Sequence, residues 1–555
     1  MKIVIFVIAW LFAAQLNAAV STQPNLLLLV AEDMSSRVGA FGDSVAVTPN
    51  LDALAEQGVR YTNTFTTAGV CAPSRAAHIL GVHQISTGTQ HMRSTTRREG
   101  GYFSVPPEEV KAYPELLRAA GYYTFTDDKL DYQFSGVRAG SGPFTIWDAE
   151  GTADWQGRDL EQPFFGLINF QVTHETGVFT PIGSLPHSRT HLLMQFMRWW
   201  SLGRIETGVV KPDEVRLEPY YPDNAIVRAD IARHYDNIAH MDREIGRILQ
   251  KLEQQGLADS TIVIWTTDHG DGLPRAKREL FDSGIKVPMI IRWPEAYRPK
   301  DVGPGDVDPR LISFVDLAPT ILALAGVTPP DYLQGRNFSS PDVPQRDYIY
   351  ASRDRIDEVP DRQRAVRDAR FKYIRSWHPD LPGGHPLKFR DNIKMLGKMR
   401  SMHEAGLLNE AQSQWFLPPG TERLFDLDKD PFELVDVSKD PDYRDELVRM
   451  RSALDRWLDK VVDRSDISET AMIREFYPGG TRPQTPSPIA SITNGRLVVE
   501  RDRIGSSYGY RKIGGRWSLY TEPVDVAGGD AFEVKAVRYG WERSQAIKMV
   551  PKITP

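Results

Sequence analysis

Acidic residues and histidines follow three short apolar runs in this chain. The pair Glu32-Asp33 follows the first run, the pair Asp268-His269 follows the last, and His174 lies shortly after the second. Apolar runs bounded by polar residues are typical of buried parallel strands, and ligands gather at the carboxyl ends of such strands. Acidic groups gathered there would suit a hard cation, although each pair alone could be a solvated loop or a turn. The runs cover residues 25–30, 164–170 and 261–265.

Cys71 is the single cysteine of the chain, which excludes an intramolecular disulfide and a four-cysteine zinc site. A helix is expected to begin just after it, at Pro73 or Ser74, and the free N–H groups of a helix start favour anions. Arg75 can direct its guanidinium to the same place. Most lone thiols are inert buried residues, so the surrounding residues must decide whether this one is chemically active.

Helices separate the apolar runs. Residues 51–55 lie between Pro49 and Gly58 and predict a helix that glycine ends, and residues 231–256 carry apolar side chains at helical spacing. Alternating strands and helices indicate an α/β fold, in which a large, mainly parallel sheet is sandwiched by helices.

The pattern changes after about residue 334, where short strands and one helix predict a smaller α+β subdomain. The strands are expected at 347–352, 364–375 and 424–427, with a turn at Asp368-Ala369 that divides the second into shorter segments, and the helix is expected at 443–461. A Pro- and Gly-rich linker at 479–488 precedes further short strands at 496–499, 508–512 and 516–520. We therefore expect a signal peptide at 1–18, a catalytic domain at 19–340, the α+β subdomain at 341–465 and a C-terminal extension at 466–555.

The N-terminus is typical of an export signal. Lys2 precedes an apolar run from Ile3 to Leu16, and Ala18 and Ala19 supply small residues for cleavage. The run is short for a hydrocarbon layer of about 30 Å, which favours cleavage over a membrane anchor. We expect a periplasmic or secreted protein with no membrane attachment after cleavage.

The overall composition excludes several classes of protein. With 41% hydrophobic and 25% charged residues in 555, the chain is neither disordered nor a coiled coil. A formal net charge of -6 argues against a nucleic-acid binder, which would normally be basic. A mean hydropathy of -0.38 argues against a protein with many membrane spans.

The segment from Cys71 to Arg75 reads C-A-P-S-R and matches the C-x-P-S-R signature of the type I sulfatases, in the alkaline phosphatase superfamily. The order of the acidic pair, the cysteine motif and the Asp-His pair is similar to that family from about residue 25 to residue 458. The resemblance implies an alkaline phosphatase-like fold and oxidation of Cys71 to formylglycine. A hydrated aldehyde offers one hydroxyl to attack sulfur and a second to expel the sulfate afterwards.

The resemblance also implies a Ca²⁺ site made by Glu32, Asp33, Asp268, His269 and the oxygen of the modified Cys71. Oxygen-rich ligation is typical of calcium. Two positions depart from the common pattern, because many family members have aspartate in place of Glu32 and asparagine in place of His269.

Further catalytic and substrate-binding residues come from the same resemblance. Lys129 and Lys277 resemble the lysines near the sulfate, and His174 resembles the histidine that protonates the leaving group, a role suited to a group titrating near neutrality. Asp131 stands where the family usually has histidine and is expected to orient Lys129 or to contact substrate. The other readings are a polar turn around Lys129 and a solvated basic turn around Lys277.

The remaining substrate-binding candidates are His91 and Arg353, the latter on a loop after a strand, where a surface charge cluster is the commoner explanation.

These observations predict an exported, calcium-dependent sulfatase that acts on a sulfated carbohydrate, such as an ulvan-like algal glycan or a glycosaminoglycan. Its partners would be that substrate and a formylglycine-generating maturation enzyme. An N-sulfoglucosamine sulfohydrolase-like activity is a close variant. A phosphodiesterase or phosphonate monoester hydrolase of the same fold and a non-catalytic binder of sulfated glycans are the alternatives. Cys71, Arg75 and Lys129 argue against the binder.

Overall fold

The computed structural model describes residues 23–97, 99–179, 185–186, 188–202, 205–526 and 530–550. The signal peptide expected at 1–18 lies outside these residues. Among the helices that the structure describes, none combines the length and the apolar character that a membrane span requires.

An eight-stranded sheet forms the centre of the chain. Its strands are β1 (Asn25–Ala31), β2 (Val59–Phe65), β3 (Tyr123–Thr126), β4 (Ala149–Glu150), β5 (Phe164–Phe170), β6 (Thr261–Thr267), β7 (Lys286–Arg292) and β8 (Val307–Ser313). They lie in the order β4-β3-β5-β1-β6-β7-β2-β8, and every neighbouring pair is parallel except the two pairs that contain β7. The expected mainly parallel sheet is confirmed.

Helices cover both faces of this sheet, as the alternation of side chains along β1 shows. Leu27 and Leu29 join one buried apolar cluster, and Leu26 and Leu28 join another on the opposite face. The sandwich architecture expected from the sequence is therefore confirmed. The helices before residue 340 are α1 (Pro49–Gln57), α2 (Cys71–Leu80), α3 (Gln84–Thr87), α4 (Tyr113–Ala119), α5 (Thr176–Phe179), α6 (Arg189–Leu202), α7 (Ala225–Gln254), α8 (Asp282–Ile285) and α9 (Leu317–Leu324).

The long helix α7 begins six residues earlier than its apolar spacing predicted. Asn224 caps it, because its side chain accepts hydrogen bonds from the backbone N–H groups of Ile226 and Val227. The helix α2 also begins earlier than expected, at Cys71 itself. Gly81 caps its C-terminal end after Leu80 and adopts the left-handed conformation with φ 66°.

A second, antiparallel sheet follows in the order β12-β11-β10-β9. Leu454 and Trp457 of the helix at 444–458 pack on it in one buried cluster. The predicted strands and helix of this region are present, with a turn at Asp368 as expected. The elements are β9 (Ile349–Arg353), β10 (Gln363–Arg367), β11 (Phe371–Ser376), β12 (Glu422–Asp426), α10 (Lys394–Glu404), α11 (Glu410–Ser413) and α12 (Arg444–Leu458).

The C-terminal residues form two small antiparallel sheets, β13-β14-β17 and β16-β15-β18-β19, preceded by a helix, α13, that the sequence reading missed. They contact α4 through the buried Glu115, which accepts hydrogen bonds from Ser507 (2.5 Å) and Tyr539 (2.8 Å). The elements are α13 (Glu469–Phe476), β13 (Ile489–Thr493), β14 (Arg496–Glu500), β15 (Ser507–Lys512), β16 (Ser518–Leu519), β17 (Val524–Asp525), β18 (Phe532–Val537) and β19 (Ile547–Met549).

Candidate functional site

The carboxyl ends of β1 and β6 bring the two acidic segments together. The strands are parallel neighbours in which Ala31 pairs with Thr267, so the residues that follow them emerge side by side. The backbone N–H of Asp33 donates to Oδ1 of Asp268 at 3.0 Å, and both side chains are buried. Asp33 has φ 50°, an uncommon conformation for a residue with a side chain, which fixes its carboxylate at this edge.

The thiol of Cys71 completes this cluster. Its Sγ lies 3.4 Å from Nε2 of His269 and 3.8 Å from Oδ1 of Asp33. One ligand atom from each of Asp33, Cys71, Asp268 and His269 lies within 4.8 Å of the others. Two carboxylates, an imidazole and the side chain at position 71 form a buried donor set of suitable size for a cation.

The electrostatics of the cluster also fit a cation. Burial lowers the pKa of His269, but the nearby carboxylates of Asp268 and Asp33 outweigh this and raise the pKa to about 10. An imidazolium then balances the negative charge of the two carboxylates. Because a bound metal requires neutral histidine, the cation would displace this proton and take over the same balance.

Glu32 lies outside the group of potential metal ligands. Its Oε1 accepts from Nη2 of Arg75 and from Nζ of Lys129, each at 3.0 Å. Two cations thus hold the carboxylate of Glu32, and its role as a Ca²⁺ ligand stays a prediction.

Arg75 joins the two acidic segments from helix α2. Its Nε donates to Oδ2 of Asp268 at 3.2 Å, its Nη2 reaches Glu32, and its Nη1 donates to the side-chain oxygen of Asn169. Burial lowers the pKa of Arg75, but the carboxylates of Asp268 and Glu32 raise it well above its usual range. Arg75 thus fixes the ends of β1, β5 and β6 relative to the cysteine.

Asp131 lies between two cations and is itself buried. Its carboxylate contacts Nη1 of Arg93 at 3.1 Å and Nζ of Lys129 at 3.5 Å. Burial alone would raise the pKa of Asp131, but Arg93 and Lys129 hold it well below its usual range. The position supports the orienting role over direct substrate contact, which remains a prediction. Arg93 was missed because nothing in its local sequence marks it.

Lys277 and His174 meet on the other side of Asp33. Nζ of Lys277 lies 2.6 Å from Oδ2 of Asp33, 2.9 Å from Oε1 of Glu175 and 3.3 Å from Nε2 of His174. Burial and the charge of Lys277 hold the pKa of His174 well below its usual range, which differs from the expected titration near neutrality. Glu175, which also pairs with Arg278 at 2.8 Å, was overlooked although it directly follows His174.

A cavity of about 600 Å³ opens above these groups. Lys129, His174 and Glu32 line its charged part, and Phe196 and Trp200 of α6 line an aromatic part. The cavity therefore offers cations for an anionic group and an apolar surface for whatever carries that group.

None of the three predicted substrate-binding residues lines this cavity in the part of the chain that the structure describes: they are Asp131, Arg353 and His91. The expected loop position of Arg353 is wrong: it ends strand β9, and its guanidinium forms buried ion pairs with Glu279 (2.8 Å) and Asp361 (2.9 Å). These partners neutralise the charge that was to bind an acidic sugar. His91 is half-buried, and burial lowers its pKa to about 4.

The mainly parallel sheet and the charged site at the carboxyl ends of its strands define an alkaline phosphatase-like fold. A family model described as Sulfatase matches residues 24–165 and 149–327, and one described as N-sulphoglucosamine sulphohydrolase, C-terminal, matches residues 275–380. An ulvan-active sulfatase of Formosa agariphila is 39% identical, over 95% of this chain and 91% of its own length. This chain belongs to the sulfatase family.

More distant comparisons agree with that assignment. The human N-sulphoglucosamine sulphohydrolase is 25% identical over 78% of this chain and 89% of its own. A protein solved in complex with its substrate D-glucosamine-2-N,6-O-disulfate shares the fold, with a TM-score of 0.53 at 17% identity, covering 80% of this chain and 98% of its own. The chain is thus a type I sulfatase of the alkaline phosphatase superfamily, a sulfuric ester hydrolase.

Proposed function

We propose that this protein is an exported, calcium-dependent sulfatase that hydrolyses sulfate esters of a sulfated polysaccharide or oligosaccharide, with an ulvan-like algal glycan as the leading candidate. The observation that carries the proposal is the position of Cys71 inside the group of Asp33, Asp268 and His269. The neighbouring Glu32, Lys129 and His174 line an open cavity. The 39% sequence identity to an ulvan-active sulfatase, over 95% of this chain, supports the choice of substrate.

The side chains around the cavity have distinct tasks in this proposal. Lys129 and Lys277 attract the non-bridging oxygens of the sulfate group, because both are cations held beside the cluster. His174, within reach of Lys277, supplies the proton that the leaving sugar oxygen needs when the S–O bond breaks. A bound sulfate group beside Lys277 would offset the charge of that lysine and favour the protonated imidazole, which the free protein disfavours. Asp131 orients Lys129, and Arg75 fixes the acidic segments relative to position 71.

Asp33, Asp268 and His269, with the oxygen of a modified residue 71 and the carboxylate of Glu32, would hold the Ca²⁺ ion. Residue 71, the two aspartates and His269 already lie within 4.8 Å of one another. Formylglycine and Ca²⁺ together would supply a nucleophilic hydroxyl and positive charge next to the sulfate. The oxygen donors of the two aspartates favour Ca²⁺, and the imidazole of His269 is the one ligand that departs from an all-oxygen set.

The proposed substrate is tested by sulfate release. Purified wild-type protein, expressed with a formylglycine-generating enzyme, is incubated with ulvan oligosaccharides, and free sulfate is measured by ion chromatography. We expect release from ulvan oligosaccharides and none from the Cys71→Ala variant. Release that is equal in the two proteins would contradict the proposed nucleophile, and no release by the wild type from any sulfated sugar would contradict the substrate class.

A second candidate activity is the cleavage of an N-sulfate. The match of residues 275–380 to the C-terminal region of N-sulphoglucosamine sulphohydrolases favours it. N-sulfoglucosamine therefore belongs in the same assay, and turnover of nitrophenyl phosphate diesters and phosphonates is measured in parallel by the release of nitrophenol. Faster turnover of the N-sulfate would assign the second activity, and faster turnover of the phosphorus esters would assign the phosphodiesterase alternative.

Export and maturation are part of the proposal. Lys2 and the apolar run from Ile3 to Leu16 support cleavage of a signal peptide near residue 18. Protein recovered from the periplasm or medium should begin near Ala19 by N-terminal sequencing. Intact Met1 on a cytoplasmic protein would contradict export, and full activity without any formylglycine-generating enzyme in the host would contradict the proposed maturation partner.

A further inference from the structure

Helix α6 presents apolar side chains outward and a charged one inward. Phe196, Trp199 and Trp200 are 58%, 57% and 78% exposed, whereas Arg198 is 8% exposed. The guanidinium of Arg198 donates to the backbone oxygen of Val172 at 3.1 Å and to the side-chain oxygen of Asn237 at 3.0 Å. Arg198 therefore anchors the helix, and its aromatic residues are left without a place in the core.

Two of these aromatic residues line the cavity of about 600 Å³ beside the buried cluster. Phe196 and Trp200 are one helical turn apart, with ring centroids 6.4 Å apart and ring planes inclined by 24°. Both line the cavity that Lys129 and His174 also line, and Phe389 lies beside them. Trp199 is equally exposed but does not line that cavity.

The cavity thus combines two kinds of surface that suit different parts of one ligand. Its charged part, around Lys129 and His174, suits the sulfate group. A sugar ring carries hydroxyls on its edge and C–H groups on its faces, and those apolar faces can pack on aromatic rings. An aromatic wall is of no use to an isolated sulfate ion, but it can hold the rings that carry the sulfate in place.

We propose that Phe196 and Trp200 form a stacking wall that binds a sugar ring adjacent to the sulfated ring, so that the enzyme selects a saccharide chain over a single sulfated sugar. The inference rests on the proposed function, which it deepens by naming the length of the substrate. A sugar is favoured over a membrane surface or a second copy of the chain because both rings lie in the same cavity as the sulfate-binding cations.

The test compares two substrates with three single variants. Sulfate release is measured from a sulfated ulvan oligosaccharide and from its sulfated monosaccharide, using the wild type, Trp200→Ala, Phe196→Ala and the neighbouring control Trp199→Ala. A tenfold change in affinity corresponds to about 1.4 kcal/mol of lost contact energy. We therefore expect Trp200→Ala to raise KM for the oligosaccharide about 10-fold more than KM for the monosaccharide, with a smaller effect on kcat.

The control separates the wall from a general effect on the helix. Trp199→Ala should change both substrates by less than about twofold, since stacking energy is lost only where a ring touches the ligand. Equal KM changes in Trp199→Ala and Trp200→Ala, or an equal loss on both substrates, would overturn the proposal while leaving the proposed function in place. The wild type could also run as a dimer in size-exclusion chromatography. If Trp199→Ala and Trp200→Ala both disrupt that dimer, the result would overturn the sugar-binding wall and show that a second copy of the chain covers these rings. No release from either substrate by the wild type would instead overturn the proposed function, and the wall with it.

Discussion

Two clusters of buried charge in this molecule differ in what completes them. Beside strand β10, Arg364 is fully buried and donates to both carboxylate oxygens of Asp463 at 2.9 Å, to Asp354 at 3.1 Å and to the backbone oxygen of Arg353 at 3.0 Å. At the catalytic end of the main sheet, Lys129 pairs with two carboxylates and also lines an open cavity. The first cluster is closed by its own residues, and the second faces outward.

This difference distinguishes the two charges by role: Arg364 stabilises the fold, whereas Lys129 is available for chemistry. Removing one member of a closed pair leaves its partner buried without compensation, which is costly. Removing a cation beside a cavity leaves a partner that water can reach through that cavity. We therefore expect the two clusters to respond to mutation in opposite ways, one through stability and the other through turnover.

The largest expected effect is on catalysis. Lys129→Ala should lower kcat/KM for the sulfated substrate by at least about 100-fold, because a charge near the reacting oxygens is lost. Its melting temperature should stay close to that of the wild type, which thermal unfolding measures.

Asp131→Asn is the matched variant for that experiment. It keeps Lys129 but weakens its orientation, so partial activity should remain, about 10-fold below the wild type. Equal and near-complete loss of kcat in both variants would contradict the orienting role and place Asp131 in the chemistry.

The next largest effect is on stability. Arg364→Ala should lower the free energy of unfolding by about 3–5 kcal/mol, because the carboxylates of Asp463 and Asp354 stay buried without their partner. The exposed pair of Arg496 and Asp525, whose side chains are 50% and 86% exposed, is the control. Arg496→Ala should cost about 1 kcal/mol or less in urea unfolding. Equal losses of unfolding free energy in the two variants would show that the closed cluster stabilises the fold no more than an exposed ion pair does.

Calcium should stabilise the catalytic end specifically. Exhaustive chelation should abolish turnover, and Ca²⁺ should restore it better than Zn²⁺. An ion that binds only the folded protein adds about 2.7 kcal/mol at 100 times its Kd, which raises the melting temperature. Asp268→Ala should lose this shift, whereas Arg364→Ala should retain it. Stoichiometric zinc with zinc-restored activity would refute the calcium assignment.

The smallest effect is the pH dependence of the closed cluster. Burial raises the pKa of Asp463, but Arg364 outweighs this and lowers it from 3.8 to about 2. The carboxylate therefore stabilises the fold above pH 3.8, and this contribution is lost as the pH falls toward 2. The stability gap between the wild type and Asp463→Asn should narrow by about 1 kcal/mol between pH 6 and pH 3.

The sequence predicted the parts of the site that depend on strand ends. The pairs after β1 and β6 meet as expected because parallel neighbours bring their carboxyl ends to one edge. It could not predict that Glu32 contacts Arg75 and Lys129, because these contacts depend on distances between separate segments.

The errors share the same physical origin. Arg353 was placed on a loop, but its ion-pair partners Glu279 and Asp361 come from other segments, and only the assembled fold shows that they bury its charge. Helix α6 was not predicted because it exposes Phe196 and Trp200. Helices are predicted from sequence by an apolar face that packs on the core, and α6 does not follow that pattern.

The most direct test of the central claim is the mass of the peptide that contains residue 71, taken from fully active protein. The protein is denatured, alkylated and digested with trypsin, and the peptide is analysed by mass spectrometry. The account predicts an aldehyde in place of the thiol and no alkylation at that residue. Active protein in which Cys71 is quantitatively alkylated, with turnover intact, would contradict it.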